Sequence, residues 1–107
     1  MPRRRRFSLI FAPETVDHLD VIERKYHRQI RRAIDEQLSY TADKATRNRK
    51  PLDEPAAFGA TWELRCGPRN RFRVFYEVEA SEYRVRILAI GLKEGRRLFV
   101  GGEEIDL

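Results

Sequence analysis

Four arginines fall within one short segment of the chain, WELRCGPRNRFRVFYEV, which runs from Trp62 to Val78. They are Arg65, Arg69, Arg71 and Arg73. A guanidinium stays ionised at physiological pH, and its planar fork binds two oxygens of a phosphate group at once. These residue types therefore favour a surface that grips a polyanion. The alternative is that the arginines solvate the outer face of a sheet, paired across strands with Glu63 and Glu77.

The same segment predicts two β-strands joined by a turn, because apolar residues recur at every second position. In residues 61–66 the apolar face is formed by Trp62, Leu64 and Cys66. After a turn at 67–70, residues 71–79 carry an apolar face of Phe72, Val74, Tyr76 and Val78. A third strand at 83–90 would end at Gly91, with one side formed by Tyr83, Val85, Ile87 and Ala89 and the other by Arg84, Arg86, Leu88 and Ile90.

The second face of this meander is polar. It gathers Glu63, Arg65, Arg71, Arg73 and either Arg84 or Arg86. The assignment depends on the period of two, because a slip of one residue would exchange the two faces of a strand. A further short strand is expected near Leu98 to Val100.

The upstream half predicts a strand and a helical region. FSLIF (7–11) has the composition of a short buried strand, and Pro13 and Glu14 can open a helix. Apolar residues then recur at helical spacing: Leu19, Ile22, Tyr26, Ile30, Ala33, Ile34 and Leu38. They fit either one helix over about 14–40 or two packed helices with a break near Tyr26 to Gln29. Residues 41–60 indicate a loop that Leu52 and Phe58 pin to the core. This order predicts an α+β fold in which helices cover one face of a small antiparallel sheet.

Composition limits the class of protein. The chain has 107 residues, 41% hydrophobic and 36% charged, which predicts a single domain over 1–107 with a basic arm at 1–6. Lys and Arg number 22 against 17 Asp and Glu, a net charge of +5 that favours an acidic partner such as nucleic acid. With one cysteine, Cys66, an intrachain disulfide is excluded, and no spacing of Cys and His indicates a metal site. We expect a cytoplasmic protein, because no apolar run reaches the roughly 20 residues of a membrane span.

The sequence resembles the RelE/ParE superfamily, the toxins of bacterial type II toxin–antitoxin systems. The resemblance covers nearly the whole chain and is carried by a strand with Leu64–Arg65, a turn with Gly67, Arg73 ahead of Tyr76–Glu77–Val78, and a strand ending in AIGLK, from Ala89 to Lys93. The upstream RQIRRAIDEQL and NRKPL suit the helix and the loop that precede the second strand.

The resemblance implies a β-α-α-β-β-β fold with a helical hairpin on one sheet face, and no cofactor or metal. It implies a ribosome-associated endoribonuclease that cleaves mRNA and inhibits translation, bound by a cognate antitoxin. The alternatives are a ParE-like inhibitor of DNA gyrase, or a toxin-fold protein without catalysis that only binds an antitoxin or RNA.

Carried onto this chain, the resemblance gives a catalytic set of Arg73, Arg65, Glu63 and Lys93. Arg73 and Lys93 take the positions of the two family arginines, whereas Thr61 and Glu63 take the two lysine positions and Phe99 the C-terminal tyrosine. Phenylalanine cannot transfer a proton, so Glu63 is the candidate general base. Further RNA contacts are expected from Arg71, Arg84, Arg86, Arg96, Arg97, Arg31 and Arg32.

Overall fold

A computed structural model describes residues 5–56 and 58–106. Two α-helices occur in this part of the chain, α1 (Glu14–Asp20) and α2 (His27–Leu38). Its strands are β1 (Ser8–Phe11), β2 (Arg49–Pro51), β3 (Trp62–Cys66), β4 (Phe72–Glu79), β5 (Arg84–Glu94), β6 (Arg97–Val100) and β7 (Glu103–Ile105). The predicted α+β class with an antiparallel meander is therefore confirmed.

All strands belong to one sheet, in which β2, β3, β4 and β5 lie side by side and antiparallel. Two strands pair with the edge of β5 that faces away from β4. Its first part pairs with β1 in parallel, Ser8 opposite Arg84, and its last part pairs with β6 in antiparallel fashion, Gly91 opposite Val100. Strand β7 then pairs with β6. The parallel strand β1 requires a crossover, which α1 and α2 supply.

The helical region forms two helices rather than one, and it breaks earlier than expected, at Val21 to Glu23. The ring of His27 donates through Nε2 to the carbonyl of Ile22, at 2.8 Å, and so satisfies a backbone group that the break leaves free. Tyr26 packs against Phe72 with ring centroids 5.2 Å apart. No proline or glycine lies at the break, so the local sequence does not predict its position. Tertiary contacts determine it. No helix in the described ranges is long and apolar enough to cross a membrane.

The main core lies between the helices and one sheet face. The apolar side of α2 buries Ile30, Ile34 and Leu38, one helical turn apart, against Leu64, Val74 and Tyr76 of the sheet. Each such side chain stabilises the fold by about 1.5–3 kcal/mol. The faces predicted for β3 and β4 are confirmed.

The opposite face of the sheet holds a second, smaller hydrophobic cluster. Phe75 and Ala89 pack there with Leu98 and Val100, which β6 contributes. Leu52 and Phe58 pack against the same cluster, so the predicted anchoring of the 41–60 loop is confirmed, although to this second core. The polar face is consequently divided into two ends by an apolar centre.

A β-bulge in β5 explains one error of the sequence prediction. Tyr76 pairs with Ile87 and Phe75 with Ala89, so Leu88 is an extra residue in β5. Ala89 therefore turns to the second cluster and Ile90 to the main core, the reverse of the expected alternation. The strand also continues past Gly91, where an end was expected, to Glu94.

Two other expectations about strands differ from the structure, one about burial and one about the number of strands. The strand at 7–11 is not buried, since Ile10 and Phe11 are 39% and 42% exposed at the sheet edge, and only Phe7 before it is buried. The short strands β2 and β7 were missed because each has only three residues and β2 includes Pro51.

Arg49 of β2 anchors the loop after α2. It is buried, and its guanidinium donates to the backbone carbonyl of Gln37 in the last turn of α2. A cation at this position compensates the partial negative charge of a helix C-terminus. The hydroxyl of Tyr76 donates to the carbonyl of Ala42 at 2.9 Å and holds the same loop from the core side.

Cys66 gives the fold a testable pH dependence. Burial raises the pKa of its thiol to about 11, an effect that the nearby charge of Arg73 only partly opposes. The unfolded chain loses this proton near pH 9.0, whereas the folded chain keeps it to about 11. The thiol therefore favours the folded state below pH 9.0, and this contribution is lost as the pH rises toward about 11.

We expect the difference in unfolding free energy between the protein and Cys66→Ala to shrink by about 2 kcal/mol across that window. Urea denaturation followed by the fluorescence of Trp62 measures it. A difference that stays constant with pH would contradict the assignment.

Candidate phosphate-binding cleft

Basic side chains converge where β4 begins and β5 ends. An open cavity of about 600 Å³ is lined there by Arg69, Arg71, Arg73 and Lys93, together with Pro68, Asn70, Glu94 and Gly95. A second cavity of about 270 Å³ shares Arg73 and Lys93 with it and is also lined by Arg96, Arg97, Glu104 and Asp106. We call Arg69, Arg71, Arg73, Lys93 and Arg96 the cationic cleft. Within the described ranges, no three His, Cys, Asp or Glu side chains are grouped so that they could hold a metal ion.

Arg73 is the most firmly held cation of the cleft, with its side chain only 13% exposed. Its Nε donates to the carbonyl of Asn70 at 3.1 Å, and its Nη1 donates to Oε1 of Glu63 at 3.0 Å. Among residues 5–56 and 58–106, its Nη2 has no hydrogen-bond partner. Two of the three guanidinium nitrogens are thus held by the protein, and Nη2 is left to bind an anion.

Glu63 lies beneath the arginines rather than in the open cleft. It is 3% exposed, and its Oε1 accepts hydrogen bonds from Arg65 Nε and Arg73 Nη1, both at 3.0 Å. A general base must reach the proton that it abstracts. The general-base role expected for Glu63 is therefore not supported, because its carboxylate is enclosed and engaged with two guanidinium groups.

The turn between β3 and β4 places the acceptor for Arg73. Gly67 has φ 81° and ψ −179°, a conformation essentially restricted to glycine, and the ring of Phe72 packs directly over it. Arg69 and Asn70 follow with left-handed φ values of 55° and 54°. This turn brings the Asn70 carbonyl back toward the start of β4, where Arg73 reaches it.

Lys93 extends the cleft from β5. Its backbone N–H donates to the carbonyl of Arg71 at 2.8 Å, which fixes the two strands at this end of the sheet. Gly91 lies opposite Arg73 in the register, and a Cβ there would come within 2.9 Å of the Leu98 side chain. The absence of that Cβ lets the Leu98 side chain of β6 pack over Gly91. Arg71 contacts Glu94 at 3.7 Å near the cleft mouth.

Arg84 and Arg86 share the sheet face of Arg73 but lie at its other end, beyond the second cluster. Both guanidiniums bond to Glu79, and Arg86 also approaches Glu77 at 3.6 Å. These hydrogen bonds, first from Arg86 and then from Arg84, lower the pKa of the Glu79 carboxyl. The structure does not bring this pair into the cationic cleft.

Arg97 lines the second cavity, but its charge is matched there by Glu104. Strand alternation places it with Phe99 on the face opposite Lys93 and Leu98. Its guanidinium lies over the Phe99 ring and bonds through two nitrogens to Glu104, which raises the pKa of Arg97 and lowers that of Glu104. Phe99, at the position expected for a catalytic tyrosine, is therefore separated from Arg73 by the sheet.

The helical and N-terminal basic residues form separate surfaces. Arg31 and Arg32 lie on α2, on the far side of the sheet from the cleft, and Arg32 pairs with Glu36. Of the basic arm expected at 1–6, residues 1–4 lie outside the described residues. Arg6 pairs with Asp35 at 2.7 Å, and the guanidinium of Arg5 lies over the Tyr83 ring.

Sequence reasoning did not identify Gly67 and Asn70 as residues that together position Arg73. Gly67 and Pro68 indicated a turn, but only the structure relates the Asn70 carbonyl to Arg73. A glycine in the turn ahead of a strand arginine was the one available signal.

Gly67→Ala tests the turn. We expect it to destabilise the fold by about 2–4 kcal/mol, because it combines a forbidden backbone conformation with overpacking against Phe72. Gly95→Ala is the matched control, since Gly95 also has a positive φ but open space around it, and should cost only about 1 kcal/mol. Thermal unfolding measures both, and equal losses would refute the role of Phe72.

Arg73→Gln tests the cleft, with Arg84→Gln as a control that removes the same charge from the same sheet face. We expect Arg73→Gln to weaken binding of a single-stranded RNA oligonucleotide about tenfold, the loss of a charge-assisted contact. Arg84→Gln should change the affinity less than about twofold, because Glu79 already engages that arginine. Titrations at two salt concentrations measure both, and equal effects would mean that only net charge matters.

No protein-family model matches the sequence, and a search of curated proteins finds no match either. The case for a function therefore depends on the cleft itself and on the residues that build it.

Proposed function

We propose that this protein is a toxin of the RelE/ParE type that binds mRNA on the ribosome and cleaves it without a metal ion, thereby inhibiting translation. The observation that carries the proposal is the Arg73 guanidinium, anchored through Nε and Nη1 with Nη2 left to bind an anion. Arg71 and Lys93 flank it in an open cleft large enough for a nucleotide backbone. Four cations and one carboxylate, that of Glu94, line that cavity, and none of its lining residues is aromatic, so it suits phosphate rather than a base.

The proposed chemistry is attack of a ribose 2′-OH on the adjacent phosphate. Negative charge develops on the phosphate oxygens, and donors that are already in place stabilise it without reorganisation. Arg73 offers Nη2 for this purpose and Lys93 adds a point charge, whereas Arg65, although hydrogen-bonded to Glu63, lines neither cavity. The protein thus contributes mainly charge stabilisation.

The arrangement of elements supports the proposal. An N-terminal strand, two helices and a meander follow the order that the RelE/ParE resemblance implies. The helices cover one sheet face and leave the arginine face available at one end. The additional strands β2, β6 and β7 extend this plan at the sheet edges.

The proposed partner is a cognate antitoxin in the same cytoplasm. An acidic segment would neutralise the cationic cleft. An apolar groove of about 430 Å³ between β1 and the two helices, lined by Leu9, Phe11, Val16, Leu19 and Ile34, offers a second contact surface.

A second candidate function is inhibition of DNA gyrase, as in the ParE branch. One observation favours it: the cleft lacks a free general base, because Glu63 is enclosed and the position expected for a tyrosine holds Phe99, on the opposite sheet face. His18 and His27 do not replace them, because both bond to backbone groups on the helix side.

Inducible expression with mapping of transcript 5′ ends separates the two functions. We expect growth arrest with new 5′ ends in translated mRNA, and loss of both in Arg73→Gln but not in Arg84→Gln. DNA damage without new 5′ ends would instead support the gyrase function. Arrest that persists in a folded Arg73→Gln protein would show that the cleft is not the site.

A further inference from the structure

We propose that Glu63 is a positioning residue, whose buried carboxylate holds the Arg73 guanidinium in the lining of the cationic cleft with Nη2 available to an anion. The inference rests on the proposed phosphate-binding function and assigns Glu63 a role in it different from that of a general base. It also explains why a carboxylate lies at the centre of a basic surface.

The register of the sheet creates the need for such a group. Arg65 and Arg73 are direct partners across β3 and β4, and like charges placed directly opposite repel each other. Glu63 lies two residues before Arg65 on β3, so its side chain emerges on the same face. One oxygen, Oε1, is 3.0 Å from a nitrogen of each arginine. The shared carboxylate allows two guanidiniums to occupy one small area.

Two anchors determine the orientation of the guanidinium plane. The Asn70 carbonyl accepts a hydrogen bond from Nε of Arg73, and the Glu63 carboxylate accepts one from Nη1. Both contacts lie in the plane of the guanidinium group but on different nitrogens. A single contact would leave the plane free to rotate about it. The pair holds the plane in place and leaves Nη2, which lies between the two anchored nitrogens, to bind an anion.

Burial makes the Glu63 contact strong. The Glu63 side chain is 4% exposed and that of Arg73 13%, so water does not readily replace either partner. Arg65 is less enclosed, at 36%, and its contact with Glu63 is correspondingly more screened by solvent. The carboxylate therefore acts chiefly on Arg73.

Electrostatics alone predicts the opposite effect of Glu63. A negative charge beneath the cleft opposes binding of a polyanion, so its removal should tighten RNA binding if charge were the only factor. Positioning predicts weaker binding after the same change. The two accounts therefore differ in sign.

The experiment uses Glu63→Gln, with Glu77→Gln as the matched control. Each variant has one negative charge fewer than the parent protein. Glu77 lies on the same face of the sheet as Glu63, but it contacts Arg86 outside the cleft. We expect Glu63→Gln to bind a single-stranded RNA oligonucleotide about tenfold more weakly, and Glu77→Gln to bind as tightly as the parent or more so. Tighter binding by folded Glu63→Gln would overturn the proposal.

A second measurement does not depend on RNA. Nitrogen-15 NMR of the arginine Nε–H groups should show an ordered, exchange-protected Arg73 in the parent protein and a mobile Arg73 in Glu63→Gln. Unchanged Arg73 order in the variant would overturn positioning whatever the RNA result. An ordered Arg73 in a parent protein that binds no RNA would refute the proposed function alone.

Glu63→Asp covers the case in which Glu63→Gln does not fold. It keeps the charge but shortens the side chain by one methylene, so the carboxylate cannot reach both arginines. We expect this variant to fold and still to release Arg73 in the NMR measurement. A rigid Arg73 in Glu63→Asp would likewise overturn the proposal.

Discussion

A buried carboxylate shared by two arginines is the interaction on which the functional end of this fold depends. Charged side chains are rarely enclosed unless they are paired, because an isolated buried charge is strongly destabilising. Glu63 meets that condition by accepting from Arg65 and Arg73. Its burial in turn requires both strands to keep their register, so the ion pairs and the β3–β4 pairing stabilise each other.

The two faces of the sheet have different roles. One is covered by helices over a large core, and the other carries a compact cluster around Phe75 with charged groups at either end. Opposite charges cancel at the Glu79 end, whereas positive charge is in excess at the Arg73 end. Similar residue types thus give a stabilising surface at one end and a candidate binding surface at the other.

The sequence predicted those features that depend on short-range periodicity. The faces of β3 and β4, the α+β class and the grouping of Arg65, Arg71 and Arg73 follow from alternation alone. The bulge at Leu88 escaped prediction because one inserted residue changes no composition. Glu63 was correctly placed beside the arginines, but its enclosure depends on the packing of neighbouring strands, which no local pattern records.

The parallel pairing of β1 with β5 has a consequence for how the chain acquires its structure. It joins Ser8 to Arg84, segments far apart in the sequence, and such contacts close slowly because the loss of loop entropy precedes their formation. During synthesis, β1 and the helices leave the ribosome before the strands that they cover. Arg73 and Lys93 come together only when β4 and β5 pair. An incomplete nascent chain therefore carries the arginines without the cleft, and binding to a polyanion begins only after β5 has been made.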